Sequence, residues 1–103
     1  MFFIYIMTNE RHNVMYVGST SDLVKRTYLH KNRLLRGFTS KYNLTKLVYF
    51  ESYETEIEAF ERENKLKKML RNRKEGLIEK INPNWKDLYF EIKGRSEMIC
   101  ERS

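Results

Sequence analysis

The sequence has few residues that cross-link or break a chain: its 103 residues include one cysteine, one proline and four glycines. The single cysteine, Cys100, excludes an internal disulfide, so the fold must rest on its hydrophobic core, as is typical of a reducing compartment. No apolar run is long enough to span a bilayer. The opening MFFIYIM lacks the charged segment and cleavage site of a signal peptide. We therefore expect a soluble, cytoplasmic protein that contacts no membrane.

Acidic residues are missing from a long central stretch, where only basic charges occur. No Asp or Glu lies between Lys25 and Lys46, and the aromatic residues Tyr28, Phe38 and Tyr42 are interleaved with the basic ones. A second basic cluster, from Arg62 to Lys74, contains one carboxylate, Glu63. A solvated helix face explains either block alone. Because two such blocks flank one candidate site in a chain of net charge +6, they favour contact with phosphate. The predicted nucleic-acid contacts are Lys25, Lys31, Arg33, Arg36, Lys41, Lys65, Lys67 and Lys68.

The length and the hydrophobic content indicate one folded domain. A chain of 103 residues has room for a single core, and a hydrophobic fraction of 41% with 14% aromatic residues is typical of a globular protein. The pattern of apolar residues extends to Ile92, and the remainder is polar. We therefore expect a domain over residues 1–92 and a flexible tail over residues 93–103.

Three segments have the pattern of strands. Phe2 to Thr8 is apolar on both faces, which predicts a strand covered from both sides. The polar segment NERHN joins it to a second apolar segment, Val14 to Gly18, so the pair predicts an antiparallel hairpin. At Gly18 the backbone can leave the strand or admit a close neighbour. Leu47 to Tyr53 predicts the third strand.

Helical spacing follows Gly18. Asp22 to Leu35 predicts a first helix whose inner face carries both apolar and polar residues: Leu23, Arg26, Thr27, His30 and Leu34. Gly37 to Asn43 is predicted to be a loop. Thr55 with Glu58 has the spacing of a capping box and begins a second helix. The apolar stripe predicted for that helix is Ile57, Phe60, Leu66 and Leu70, and Glu63 lies where a core residue is expected.

The last predicted elements close the core. Asn72 to Ile81 predicts another helix, with Leu77 and Ile81 one turn apart. This helix is expected to end at Asn82, because the residue before a proline avoids the helical conformation. A short amphipathic segment then brings four apolar residues to the core: Trp85, Leu88, Tyr89 and Ile92.

The unusual residues occur in an ordered set. Ile4-Tyr5-Ile6 is followed, after a nine-residue gap, by Tyr16-Val17-Gly18, and then by Arg26, His30 and Glu63. From Phe2 to about Ile92 this order resembles the GIY-YIG nuclease domain. In particular, the segments EAFERENKLKKM and INPNWKDLY are similar to patterns of its small stand-alone members.

The resemblance implies an α+β fold, in which a small three-stranded antiparallel sheet is flanked by helices, and metal-dependent cleavage of phosphodiesters. Tyr5 and Tyr16 match the motif tyrosines, and Arg26 matches the arginine that contacts the scissile phosphate. His30 matches a histidine found in part of the family, and Glu63 matches the glutamate that binds Mg²⁺ or Mn²⁺. The chain departs from the family pattern at Ile4, which replaces glycine, and at Val17, which replaces isoleucine. Ser19 stands where some members have lysine, and Glu75 lies near where some have an asparagine.

The residue types suit this chemistry. A guanidinium such as that of Arg26 donates two parallel hydrogen bonds to phosphate oxygens. A single carboxylate, Glu63, is enough to hold a hard cation that keeps most of its waters. With an ordinary pKa of about 10, Tyr5 is a poor base unless nearby cations favour the phenolate. We expect Tyr5 to act as the general base or to orient it, with Tyr16 and His30 in support.

Structural roles explain each residue separately. Strand tyrosines usually pack in cores, and His30 beside Arg26 is also compatible with a buried polar network. Glu63 is likewise compatible with a buried ion pair to Arg26. Three functions therefore remain open. The leading one is a metal-dependent endonuclease acting on DNA, and the alternative is a nucleic-acid-binding module with weak or no catalysis. The third is a protein-interaction domain around Trp85 and Tyr89. The sequence leaves the oligomeric state open.

Overall fold

The first apolar segment forms the central strand of the sheet. In the computed structural model, which describes residues 1–94, β1 (Phe2–Thr8) lies between β2 (Met15–Thr20) and β3 (Lys46–Tyr53). Both neighbours pair with it in antiparallel register. The residues from Ile4 to Thr8 are buried, as expected for a strand covered from both sides. The predicted α+β class and three-stranded antiparallel sheet are confirmed.

Helices cover both faces of the sheet. They are α1 (Leu23–Lys31), α2 (Phe38–Lys41), α3 (Glu56–Lys68) and α4 (Arg71–Ile81), and residues 89–94 are also helical. None of the helices in residues 1–94 has the length and apolar character needed to cross a membrane.

Alternate residues of β1 belong to two different cores. Ile4 and Ile6 pack with residues of α3 and α4, among them Leu66 and Ile78. Tyr5 packs in the other cluster, which includes Leu23 of α1. Because successive side chains of a strand point to opposite faces, the tyrosine is directed at α1.

The first helix is shorter than predicted. It begins as expected, with the Asp22 carboxylate accepting a hydrogen bond from the Lys25 amide at 3.1 Å. However, it ends at Lys31, because Arg33 adopts a φ of 56° and the amides of Arg33 and Leu34 bond back to His30 and Leu29. This is the pattern of a Schellman motif. The prediction that the helix continues to Leu35 is wrong, and Leu34 is exposed instead of lying on the inner face.

The segment predicted to be a loop, Gly37 to Asn43, contains the single helical turn α2. Gly37 precedes it with a φ of 115°, a conformation that glycine adopts without strain. Within this turn Thr39 is buried, and its neighbour Phe38 is half exposed. The turn therefore brings a hydroxyl group into the interior near α1.

The stripe predicted for α3 is wrong except at Leu66. The capping interaction of Thr55 with Glu58 is confirmed, since the Thr55 hydroxyl accepts a hydrogen bond from the Glu58 amide at 3.2 Å. The buried residues of the helix are Ala59 and Leu66, whereas Ile57 is 71% exposed. Phe60 and Leu70 are also exposed. Glu63 lies between Ala59 and Leu66 on the inner side, where its side chain is 16% exposed.

The corrected packing of α3 predicts a contrast between Ile57 and Leu66. Ile57→Ser is expected to change the free energy of unfolding by less than about 0.5 kcal/mol, because the isoleucine is already in water. The measurement is a urea denaturation at neutral pH, with Leu66→Ala as the buried control. A loss for Ile57→Ser that matches the loss for Leu66→Ala would contradict this placement.

The C-terminal part follows the predicted order. α4 ends at Ile81, where Asn82 precedes Pro83. Trp85 and Tyr89 are buried, so this segment closes the core as expected, but Ile81 is exposed and Ile78 is buried in its place. Cys100 and the rest of the predicted tail from residue 95 lie outside the described residues. The boundary predicted after residue 92 stays a prediction.

Candidate active site

The register of the hairpin places Tyr5 directly opposite Gly18. Residues paired in this way share one face of the sheet, so the tyrosine ring lies over a position that has no side chain. A Cβ atom built on Gly18 would lie 2.6 Å from the Tyr5 hydroxyl oxygen and 2.9 Å from a ring carbon of Tyr16. The glycine is therefore required for a close approach of both tyrosines.

Tyr5 takes part in a buried chain of hydrogen bonds. Its hydroxyl lies 2.9 Å from Nε2 of His30, and Nδ1 of that histidine lies 3.0 Å from the hydroxyl of Thr39. The ring of Tyr16 lies beside both partners, with centroid distances of 6.3 Å to Tyr5 and 5.7 Å to His30. Residues from both strands of the hairpin, from α1 and from α2 thus form one cluster.

The surroundings of this cluster favour uncharged side chains. Burial raises the pKa of Tyr5 well above its ordinary value, and Tyr16 and Glu63 add to the effect, whereas Arg26 opposes it. Burial also lowers the pKa of His30 to about 4, and the nearby positive charge of Arg26 acts in the same direction. Tyr5 and His30 are therefore both neutral at pH 7 in this arrangement.

The lowered pKa of His30 makes stability dependent on pH. An unfolded histidine titrates near 6.5, so as the pH falls the unfolded chain takes up a proton before the folded chain does. The contribution of His30 to stability is constant above about pH 6.5 and falls towards pH 4, with a loss of about 2 to 3 kcal/mol at about pH 4.5. We expect His30→Gln to remove this loss. Urea denaturation at about pH 7 and at about pH 4.5 measures this loss, and an unchanged loss in His30→Gln would contradict the assignment.

Arg26 lies on α1 one turn before His30, and its guanidinium faces a cleft. The cleft has a volume of about 440 Å³, and Thr20, Ser21 and Lys25 also line it. Among residues 1–94 no carboxylate forms an ion pair with Arg26. A partly buried guanidinium without an internal partner is available to an anion from outside.

Glu63 has internal partners of its own. Its Oε1 accepts a hydrogen bond from the Ser19 hydroxyl at 2.6 Å, and its Oε2 lies 2.7 Å from the ammonium of Lys67. The ion pair with Arg26 that the sequence left open does not form. The carboxylate lines a cleft of about 320 Å³ that shares Thr20 and Ser21 with the cleft of Arg26. The two candidate groups therefore lie in adjoining clefts.

A divalent cation would find a limited set of ligands here. Residues 1–94 contain no group of three or more His, Cys, Asp or Glu side chains arranged to hold a metal. One carboxylate with an adjacent hydroxyl fits a hard cation that keeps most of its waters, as Mg²⁺ does. Lys67 would have to release Oε2 for such a cation to bind.

The residues predicted to contact nucleic acid differ in whether they have partners within the protein. Lys31 forms an ion pair with Asp87 and donates a hydrogen bond to the carbonyl of Thr45 at 3.2 Å. Its ammonium therefore has internal partners, as does that of Lys67. The remaining predicted contacts lie on the exposed surface: Arg33, Arg36, Lys41, Lys65, Lys68, and Lys25 beside Arg26.

Two side chains of the candidate site are not predicted from the sequence. The sequence predicts a loop around Thr39, and only the fold brings its hydroxyl to His30. Ser19 occupies a position where some family members have lysine, but its hydrogen bond to Glu63 depends on α3 packing against the edge strand β2.

A hairpin that presents two tyrosines to an arginine and a histidine of the following helix, with a glutamate on the next long helix, defines a nuclease-type domain. The chain belongs to the GIY-YIG family: residues 1–76 match the model of the GIY-YIG catalytic domain. GIY-YIG nucleases act on nucleic acids. The predicted family membership is confirmed.

The similar proteins found carry the designation UPF0213. The chain is 38% identical over 78 residues to a UPF0213 protein of Clostridium perfringens, which covers 76% of this chain and 83% of that protein. It is 31% identical over 88 residues to the UPF0213 protein YazA of Bacillus subtilis, with coverages of 85% and 87%. The solution NMR structure of a UPF0213 protein of Bacillus halodurans has a TM-score of 0.53 at 23% identity, over 84% of this chain and 93% of that chain. This likeness shows the shared fold.

Proposed function

We propose that the protein is a metal-dependent endonuclease that hydrolyses phosphodiester bonds in DNA. The observation that supports this most strongly is the position of Arg26. Its guanidinium has no carboxylate partner in residues 1–94, lies beside the cluster of Tyr5 and His30, and faces a cleft that adjoins the cleft of Glu63. Such a group can bind a phosphate while the tyrosine cluster meets the attacking water.

Arg26 stabilises the charge that develops on the phosphate. Attack on a phosphodiester places negative charge on the non-bridging oxygens, and a guanidinium held by a helix donates two hydrogen bonds to them. The basic residues on the exposed surface add a longer-range attraction for the backbone of the nucleic acid.

Tyr5 orients the water, and His30 holds the Tyr5 hydroxyl in place. Because Tyr5 is neutral at pH 7, its oxygen accepts a hydrogen bond from water while its own proton is directed to Nε2 of His30. As the water attacks, its proton passes to solvent, because the pKa of His30, lowered to about 4, makes Nε2 a weak proton acceptor. Thr39 fixes the other ring nitrogen of His30, and Tyr16 packs beside the pair. Tyr5 therefore positions the water and does not act as a phenolate base.

Glu63 and Ser19 are the residues that would hold Mg²⁺ or Mn²⁺. When bound there, the ion supplies Lewis-acid stabilisation of phosphate and leaving-group oxygens. Glu63 contributes the charged ligand, and the Ser19 hydroxyl fixes the orientation of its carboxylate.

The proposal is tested by incubating the purified protein with single-stranded, branched and duplex DNA, each with Mg²⁺, with Mn²⁺ and with a chelator. We expect cleavage that requires the metal. Activity that survives both Glu63→Ala and Arg26→Ala unchanged would overturn the assignment and indicate a contaminating nuclease.

A second function, binding of nucleic acid without cleavage, is favoured by one observation. The ammonium of Lys67 neutralises the Glu63 carboxylate, as a bound metal ion would. This function predicts salt-sensitive binding and no cleavage with any metal. Neutralising Arg33, Arg36 and Lys41 would weaken that binding, whereas binding that persists at high salt would count against it.

A further inference from the structure

Aromatic rings extend from the tyrosine cluster to the surface. The ring of Tyr16 lies 6.4 Å from that of Phe38, and Phe38 lies 4.8 Å from Tyr42. Tyr5 is buried at the inner end of this series, whereas Phe38 is 48% exposed and Tyr42 is 41% exposed. The outer two rings lie on and directly after α2, so one short helical turn presents both of them beside the candidate site.

The core does not require these two rings. Phe38 and Tyr42 belong to neither cluster of buried residues, and in the described chain the core is closed by other elements. Two large aromatic side chains that remain half in water, next to each other and next to a polar site, indicate a binding surface rather than packing.

The charge around the rings favours an anionic ligand. The ammonium of Lys41 lies 5.5 Å from the centroid of the Tyr42 ring. Arg33, Arg36 and Lys41 form no ion pair within residues 1–94. Tyr42 lines a cleft of about 340 Å³ in which Arg11 and Arg33 outnumber one carboxylate, Glu10. Flat apolar rings interleaved with free cations match the two components of a single nucleic-acid strand, namely its bases and its phosphates.

We propose that Phe38 and Tyr42 form a stacking subsite for an unpaired base of single-stranded DNA. This inference rests on the proposed function, in that a phosphate near the stacked base is the one that Arg26 contacts. In a duplex the faces of the bases are covered by their neighbours, so only an unpaired or displaced nucleotide offers a face to these rings. The subsite therefore selects single strands, flaps or branch points over continuous duplex.

The test separates stacking from charge. Binding is measured by fluorescence anisotropy with a chelator present, so cleavage plays no part. The first oligonucleotide is a short single strand of deoxythymidine, the second has the same length with abasic sugars, and the third is a blunt duplex. Because stacking on an aromatic ring is worth about 1–3 kcal/mol per base, we expect the protein to bind the thymidine strand about tenfold more tightly than the abasic strand.

The decisive variant is the double substitution Phe38→Leu with Tyr42→Leu, which keeps the apolar volume but removes both rings. It is expected to lose the tenfold preference for bases while binding the abasic strand as the parent protein does. Phe38→Tyr should keep the preference. Tyr28→Ala, which removes an aromatic residue of similar exposure from the outer side of α1, is the matched control.

Three outcomes would overturn the inference: no preference for bases in the parent protein, an equal loss on the abasic strand in the double variant, or a preference for the duplex. If the preference is found but no metal supports cleavage, the proposed function fails and the subsite stands. If cleavage is found without the preference, the proposed function stands and the subsite fails.

Discussion

Glu63→Gln is expected to abolish metal-dependent cleavage, with a fall in rate of about a thousandfold. Glutamine keeps the shape of the side chain and can still accept the hydrogen bond from Ser19, but it removes the negative charge that holds a hard cation. Loss of a metal or of one group that stabilises transition-state charge costs about a hundred- to a thousandfold in rate. The measurement is single-turnover cleavage of single-stranded DNA across a titration of Mn²⁺.

Two further variants make this result specific to Glu63. Glu61→Gln removes an exposed carboxylate from the same helix and should leave cleavage unchanged. Lys67→Gln frees Oε2 of Glu63 from its ion pair, so half-maximal activity should need less Mn²⁺. A Glu63→Gln protein that retains full activity would exclude this residue as the metal ligand. If Lys67→Gln needs the same Mn²⁺ concentration for half-maximal activity as the parent protein, the ion pair does not compete with the metal.

Gly18→Ala is expected to reduce cleavage by about a hundredfold and to lower the free energy of unfolding by about 1–3 kcal/mol. The added methyl group would lie 2.6 Å from the hydroxyl oxygen and 2.7 Å from Cζ of Tyr5. The ring is buried and its hydroxyl is hydrogen-bonded to His30, so the clash displaces the tyrosine from the position in which we propose that it orients the water. Cleavage rates and urea denaturation of the same preparation measure both effects.

Gly76→Ala is the matched control. This glycine lies within α4, and a methyl group there would meet no atom within 4 Å in the described chain. Because alanine favours a helix by about 1 kcal/mol over glycine, the control should be neutral or more stable, with cleavage unchanged. If Gly18→Ala behaves like Gly76→Ala, the tyrosine is not held where the register places it.

Local patterns in the sequence were sufficient for much of the fold. Runs of β-branched and aromatic residues predicted all three strands, and the capping residues Asp22 and Thr55 predicted the starts of α1 and α3. These signals depend on neighbouring residues alone. The errors lie where no local signal exists: α1 ends in a Schellman motif at an arginine instead of a glycine, and α3 turns Ile57 to solvent because the sheet contacts another face of the helix.

The sequence by itself determined the family, the order of the candidate residues and the basic character of the central segment, because these properties are carried by residue types and spacings. Only the tertiary structure decided how those residues are partnered. Thr39 forms a hydrogen bond with His30, and Glu63 pairs with Ser19 and Lys67. Arg26 has no carboxylate partner in the described chain, and Lys31 forms an ion pair with Asp87. The physical reason is that a hydrogen bond or an ion pair between distant residues depends on distance in space, which the packing of helices on the sheet sets and no local pattern records.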